Sequence, residues 1–178
     1  MASTLKVNTI QHTGGTSAMT IDSSGRILTP ARPYFQVTKT TSQETTAGTS
    51  AAAPIIQFDQ VNNNIGSCWN TSNHQFVAPL DGVYQFNFGL LLSEIADGDD
   101  SLHVFIAING AVKQFFLRSP GEAANNGPGY GGFLHCQGSA AYYLTANQTV
   151  DLRFRGDTDP ISIHGSDVHC NFNGYLVG

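Results

Sequence analysis

Short stretches in which apolar and polar residues alternate recur about every ten residues, and they constrain the fold of this chain most strongly. The clearest stretch spans residues 82–90. Every second residue from position 84 is aromatic or aliphatic: Tyr84, Phe86, Phe88 and Leu90. Side chains alternate between the two faces of a strand, so this period predicts a β-strand with one aromatic face, and Val83 falls outside the pattern. No long window shows helical periodicity with caps, so the sequence predicts an all-β sandwich or barrel.

Turn residues separate the predicted strands. Asn109-Gly110 lies between two alternating stretches, and an Asn-Gly pair in that setting is a strong hairpin signal. Residues 55–58 predict a further strand, and the amide-rich run at residues 62–64 predicts the turn after it. Trp69 either fills the core or stacks on a sugar ring, and a lone Trp among strand residues favours the core.

Residues 1–30 form a separate region of short alternating pieces divided by Gly- and Ser-rich turns. Strands this short bury too little surface to be stable alone, so they must pack on copies of themselves or on another protein. Pro30 and Pro33 mark the boundary, which predicts a docking and trimerisation arm at residues 1–30 and a globular domain at residues 31–178. The apolar residues predicted to dock are Leu5, Val7, Ile10, Met19, Ile21 and Ile27.

Composition limits the partners. Only 12% of residues are charged, the net charge is −5, and the eight Lys and Arg residues form no cluster. Nucleic acids and anionic membranes both require clustered cations, so neither is a predicted partner. Three cysteines without close spacing, together with an N-terminus lacking a signal-peptide pattern, predict buried thiols in a protein made in a reducing cytoplasm.

Candidate metal and catalytic residues carry little weight. His135-Cys136 and His169-Cys170 suggest zinc, but adjacent residues on a strand point to opposite faces and the usual close ligand pairs are missing. The sequence also lacks a nucleophile elbow and a recognisable carboxylate pair. We therefore predict no enzyme activity, no metal and no cofactor.

Two loops are candidates for recognition. Residues 97–100 are acidic and are either a calcium-binding loop or a solvated turn, with the turn favoured because the full calcium-loop pattern is missing. Residues 121–132 form a long stretch without periodicity, and such loops are often functional. The candidate recognition residues are Asp97, Asp99, Asp100, Asn125, Asn126 and Tyr130.

Several motifs resemble the C1q/TNF-like jelly-roll family. Residues 76–88 read F-V-A-P-L-D-G-V-Y-Q-F-N-F and resemble the family signature F-x-x-P-x-x-G-x-Y-x-F-x-F. Residues 108–110 resemble its apolar-Asn-Gly hairpin, and residues 172–176 resemble its closing F-S-G-F-L strand. Asn147-Gln148 departs from the Gly-Asp of a later family motif, so the turn there is expected to differ.

This resemblance implies a jelly-roll sandwich that assembles as a homotrimer. It also implies that the signature aromatic residues either fill the core or line the trimer axis. The residues assigned to the core or the trimer interface are Tyr84, Phe86, Phe88, Phe172 and Tyr175.

The N-terminal region resembles the leading segments of tailed-phage fibre and appendage proteins, through residues 6–10 and 19–27. This likeness implies a structural protein of a phage virion, made in the host cytoplasm, that contacts capsid or tail proteins and reaches a host surface glycan through its loops. Two roles are open, a tail-fibre or appendage knob and a capsid-decorating cement protein. The alternative is a cellular C1q-like module that binds glycans or proteins outside any virion.

Overall fold

The computed structural model of the chain describes residues 5–45, 53–95, 101–120, 132–156 and 161–178. Within these ranges every regular element is a β-strand, and no helix long and apolar enough to cross a membrane is present. In chain order the strands are β1 (Thr9–Gln11), β2 (Ser17–Ile21), β3 (Ile27–Leu28), β4 (Tyr34–Thr38), β5 (Gln43–Glu44), β6 (Gln60–Ile65), β7 (Trp69–Asn70), β8 (Gln75–Val77), β9 (Gly82–Ile95), β10 (Ser101–Ile108), β11 (Ala111–Pro120), β12 (Gly132–Leu144), β13 (Thr149–Arg155), β14 (Ser162–Ile163) and β15 (Asn171–Leu176).

Strands β4 to β15 form two antiparallel sheets packed face to face. The larger sheet has the order β5-β14-β9-β15-β4-β6, with β12 paired to the long strand β9. The smaller sheet has the order β11-β10-β13-β8-β7. The last strand, β15, lies between β9 and the first strand of the sandwich, β4. Neighbours distant in sequence therefore close the domain, and the predicted jelly-roll sandwich is confirmed.

Strands β1 to β3 form a small antiparallel sheet of their own at the N-terminus. Met19 on the central strand pairs with Ile10, and Ile21 pairs with Ile27. Residues 29–33 then lead into β4 and include a turn in which the Arg32 amide donates to the Thr29 carbonyl. The arm is thus a sheet separate from the two sheets of the sandwich.

Aromatic side chains fill the space between the two large sheets. Phe172 on β15 lies 5.0 Å from Phe35 and 5.9 Å from both Trp69 and Phe86, measured between ring centroids. All four side chains are at most 4% exposed. Rings at these distances and tilted angles gain interaction energy beyond the burial of their area. The structure places Trp69 in this core, as its position among strand residues favours.

The hairpin predicted at Asn109-Gly110 joins β10 to β11. Asn109 has a φ of 49° and Gly110 a φ of 77°, and positive φ at both central residues is the requirement of a type I′ turn. Ile108 pairs directly with Ala111 on either side of the turn. The two residue types that tolerate this backbone therefore occupy the positions that need it.

The prediction of a strand at residues 55–58 and a turn at residues 62–64 is wrong, because the strand lies at Gln60–Ile65. The amide run at residues 62–64 lies within strand β6 and not in a turn, whereas residues 55–58 make one isolated bridge, from Ile55 to Arg153. β6 is an exposed edge strand that pairs with β4, so its polar residues need no burial. Asn64 even replaces backbone pairing, because its side-chain amide donates to the Trp69 carbonyl and accepts from the Trp69 amide.

Candidate assembly interface

The side of the larger sheet that points away from the core is called the outer face below. On β9 it is formed by Val83, Gln85 and Asn87, which alternate with the buried Tyr84 and Phe86. Residues that pair across neighbouring strands share a face. The pairings of β12 and β15 with β9, of β4 with β15, and of β6 with β4 therefore identify the other residues of the outer face.

Apolar and aromatic residues occupy one end of the outer face. Ile65, Tyr34 and Tyr175 lie in one row across β6, β4 and β15, and Val83 pairs with Tyr143 in the next row on β9 and β12. Tyr143 is 65% exposed, and Ile65, Tyr175 and Val83 are 37–42% exposed. A sheet face that carries aromatic rings in water has apolar area available for a partner.

A row of polar side chains follows, at the level of Asn87. The Asn87 amide nitrogen donates to Asn173 Oδ1 at 3.1 Å, and Ser139 Oγ donates to Asn87 Oδ1 at 2.9 Å. Gln85 Nε2 donates to Ser139 Oγ at 2.7 Å. On the β4 side, Gln36 Oε1 accepts from the Tyr34 hydroxyl. These side chains satisfy one another, so covering them costs less than covering unpaired amides.

A shallow cavity of about 390 Å³ opens beside this polar row, between β9 and β12. It is lined by Asn87, Phe88, Gln137, Gly138 and Ser139. Gly138 is required here, because a Cβ atom at that position would lie 2.4 Å from the Phe116 ring and 2.5 Å from the Phe88 ring.

The residues of these rows carry no charge: Tyr34, Gln36, Ile65, Val83, Gln85, Asn87, Ser139, Tyr143, Asn173 and Tyr175. Burying an unpaired charged group costs roughly several kcal/mol. Hydrogen-bonded amides and aromatic rings are covered at small cost. This part of the outer face is therefore suited to burial against another protein surface.

The cysteine and histidine residues do not converge on a metal site in the parts of the chain described. No group of three or more His, Cys, Asp or Glu side chains lies close enough to hold an ion there. Cys68, Cys136 and Cys170 are all buried free thiols. Burial raises the pKa of Cys68 and of Cys136 to about 11, and it also raises the pKa of Cys170.

These thiols are expected to be unreactive in the folded protein. Only the thiolate attacks disulfide reagents, and a pKa of about 11 leaves Cys68 and Cys136 almost fully protonated at pH 8. An aromatic disulfide reagent should titrate fewer than one thiol within minutes in buffer and all three in denaturant. Rapid release of the reagent's aromatic thiol by the native protein would contradict the burial of the three cysteines.

Comparison with known proteins identifies the family. The family model of the C1q domain matches residues 35–177, which include every strand of the sandwich except the first residue of β4. This chain belongs to the C1q family. No curated protein sequence matches it.

Three solved structures share the fold of this C1q domain at low sequence identity. The globular domain of zebrafish complement 1qA protein aligns with a TM-score of 0.51 and 18% identity over 82% of this chain and 98% of that one. Murine APRIL aligns with a TM-score of 0.56 and 9% identity over 82% of this chain and 99% of that one. Eiger TNF from S. frugiperda aligns with a TM-score of 0.53 and 10% identity over 83% of this chain and 94% of that one. These likenesses show the fold.

The structure separates the residues that were assigned jointly to core or trimer interface. Tyr84, Phe86, Phe88 and Phe172 point into the core of the C1q domain and are at most 6% exposed. Tyr175 instead lies on the outer face, 39% exposed. Tyr175 and the four buried residues therefore lie on opposite faces of one sheet.

The other predicted residues lie elsewhere. Of the arm residues, Ile10, Met19, Ile21 and Ile27 lie on β1 to β3, and Leu5 and Val7 precede β1. The candidate recognition residues lie outside the described residues: Asp97, Asp99, Asp100, Asn125, Asn126 and Tyr130.

Most of the outer face was not predicted. Tyr34, Ile65 and Tyr143 were not singled out, and Val83 was set aside because it broke the aromatic alternation. A signal was present in the C1q signature itself, since the residues between its aromatic positions are the uncharged Val83, Gln85 and Asn87. The partners on β6, β4 and β12 depend on register, which the sequence does not show.

Proposed function

We propose that this protein is a non-catalytic structural module that works as a homotrimer, with the outer face of the larger sheet directed toward the trimer axis. The observation that carries the proposal is the apolar end of the outer face, where the rows described above carry no charge and Tyr143, Tyr175, Ile65 and Val83 are exposed. The C1q family supports it, because C1q/TNF-like domains build compact trimers.

Physical arguments favour this use of the outer face. Removing apolar area from water stabilises an assembly by about 25 cal/mol per Å², and the ring of Tyr143 is mostly in water in the single chain. A threefold ring closes when one surface of each copy contacts a different surface of the next. The paired amides of Asn87 and Asn173 then enter the interface already hydrogen-bonded.

The test is the mass of the assembly. Native mass spectrometry at micromolar concentration should give a particle of about 57 kDa, three times the 19.0 kDa of one chain. A monomer at that concentration would overturn the trimer and with it the role of the outer face.

We further propose that the trimer is a component of a tailed-phage virion, either a tail-fibre or appendage knob or a capsid-decorating cement protein. Its two-part organisation supports this, since a small sheet with exposed apolar residues precedes a globular domain. Residues 97–100 and 121–132, which the sequence predicts to be loops, are the proposed contacts to a host surface glycan.

Location on particles tests the virion role. Gold-labelled antibody against residues 31–178 should bind particles in a lysate that contains this protein. Label spread over the heads would identify a decoration protein, and label confined to tails would identify a fibre or appendage. Label absent from all particles would contradict the virion role and favour a cellular C1q-like binding module.

A further inference from the structure

The N-terminal sheet has one apolar face, called the arm face below. It carries Ile10, Met19, Ile21 and Ile27, because Ile10 pairs with Met19, Ile21 pairs with Ile27, and Met19 and Ile21 are two residues apart on one strand. Ile10 is 49% exposed and Ile27 is 62% exposed. The two outer residues of this face are therefore largely in water in the single chain, and Met19 and Ile21 between them are half-buried.

This sheet is too small to be stable with that face uncovered. Its strands have 3, 5 and 2 residues, and isolated sheets of such size need a packed partner in water. The opposite face carries Thr9, Thr20 and Leu28 and is the more polar side. The arm face is thus the surface that has to be covered.

We propose that each arm face packs against the arm faces of the two other copies, so that the three N-terminal sheets form one apolar bundle on the trimer axis. This inference rests on the proposed trimer and adds a second assembly surface to it. The arm leaves the domain beside the outer face, since Pro33 is held by a hydrogen bond from the Leu176 amide to its carbonyl and Tyr34 follows on the outer face.

The short connection brings the three arms together. Residues 29–33 span at most roughly 17 Å even when fully extended, so each small sheet stays close to the end of its own domain. Once the domains assemble, the arms are held at an effective concentration of about a millimolar. A weak apolar contact is enough to associate them at that concentration.

Charge does not oppose the bundle. The arm face itself has no ionisable residue, and in the turn between β2 and β3 Asp22 Oδ2 lies 2.7 Å from Arg26 Nε of the same copy. These two groups therefore offset each other within each chain, and the other ionisable residues described between positions 5 and 28, Lys6 and His12, lie outside the three strands. A virion protein would be the alternative occupant, but the tether brings copies of the arm together in the isolated trimer, where no virion protein is present.

Cysteine cross-linking of the full chain tests the inference. Met19→Cys places a thiol on the central strand of the arm face, and Thr20→Cys places one on the opposite face of the same strand. The native thiols are buried and do not compete. A bismaleimide with a short spacer should link Met19→Cys chains into covalent pairs at least fivefold more than Thr20→Cys chains, with a yield that is unchanged by tenfold dilution.

The outcomes distinguish the two proposals. A mass of three chains with equal cross-linking of both variants would overturn the arm bundle and leave the domain trimer intact. A monomeric mass would overturn both.

Hydrogen exchange provides a second measurement, in which the arm carries no substitution. Amides of β2 should exchange at least a hundredfold more slowly in the trimer than in a monomeric Val83→Asp variant, while amides of β9 stay protected in both. Fast exchange of β2 in the intact trimer would overturn the bundle.

Discussion

Val83→Asp is expected to convert the trimer into folded monomers. In the single chain Val83 is 37% exposed at the apolar end of the outer face, where it pairs with Tyr143. A carboxylate there remains hydrated in the monomer but loses its water in the trimer. This desolvation costs roughly several kcal/mol per buried ion. Each 1.4 kcal/mol is about a tenfold change in affinity, so assembly should weaken by about a hundredfold or more. Sedimentation velocity at micromolar concentration should show a single species of one-chain mass.

Val112→Asp is the matched control. Val112 is also 37% exposed, but it pairs with Ala107 on the smaller sheet, on the opposite side of the sandwich. It should leave the mass of the assembly unchanged. Equal dissociation by both variants would mean that charge in general, and not the outer face, governs assembly. A trimeric Val83→Asp protein would remove the outer face from the interface.

Phe172→Ala is expected to lower the free energy of unfolding by about 3–5 kcal/mol, the usual cost of deleting a buried aromatic ring. Phe172 is fully buried and contacts the rings of Phe35, Phe58, Trp69 and Phe86. Truncation of Phe172 leaves a cavity between the two sheets, at the point where these aromatic rings pack them together. Since typical domains are stable by only about 5–15 kcal/mol, the variant should lose much of its stability. Urea unfolding, followed by tryptophan fluorescence at a fixed protein concentration, measures the change.

Phe133→Ala makes the same chemical change on the surface. Phe133 is 60% exposed and contacts His164 edge to face, so its truncation should change the free energy of unfolding by less than about 1 kcal/mol. Similar losses in the two variants would show that the ring cluster around Phe172 does not dominate the stability of the core.

The core could be predicted from the sequence because it depends on local periodicity. Tyr84, Phe86, Phe88 and Leu90 all point inward, as their alternation predicts. The hairpin at Asn109-Gly110 is equally local, since its backbone angles suit only a few residue types. Edge strand β6 could not be predicted this way, because an exposed edge places no demand for alternation on its residues.

The outer face depends on tertiary structure. Tyr34, Ile65, Tyr143 and Tyr175 come from four strands that are separated in the sequence, and they share one surface only because β4, β6, β12 and β15 align in register around β9. A shift of one residue in any pairing would turn those side chains into the core. No local pattern encodes that alignment.

The sequence by itself determined the all-β class, the aromatic core face of β9, the hairpin turn, and a separate N-terminal region of short strands. Each of these follows from properties of neighbouring residues, namely side-chain alternation, backbone preference and strand length. Only the tertiary structure decided that Tyr175 lies outside the core and Phe172 inside it, and that uncharged residues of five strands form one surface. Strand order and register, which set that surface, arise from packing across the whole domain.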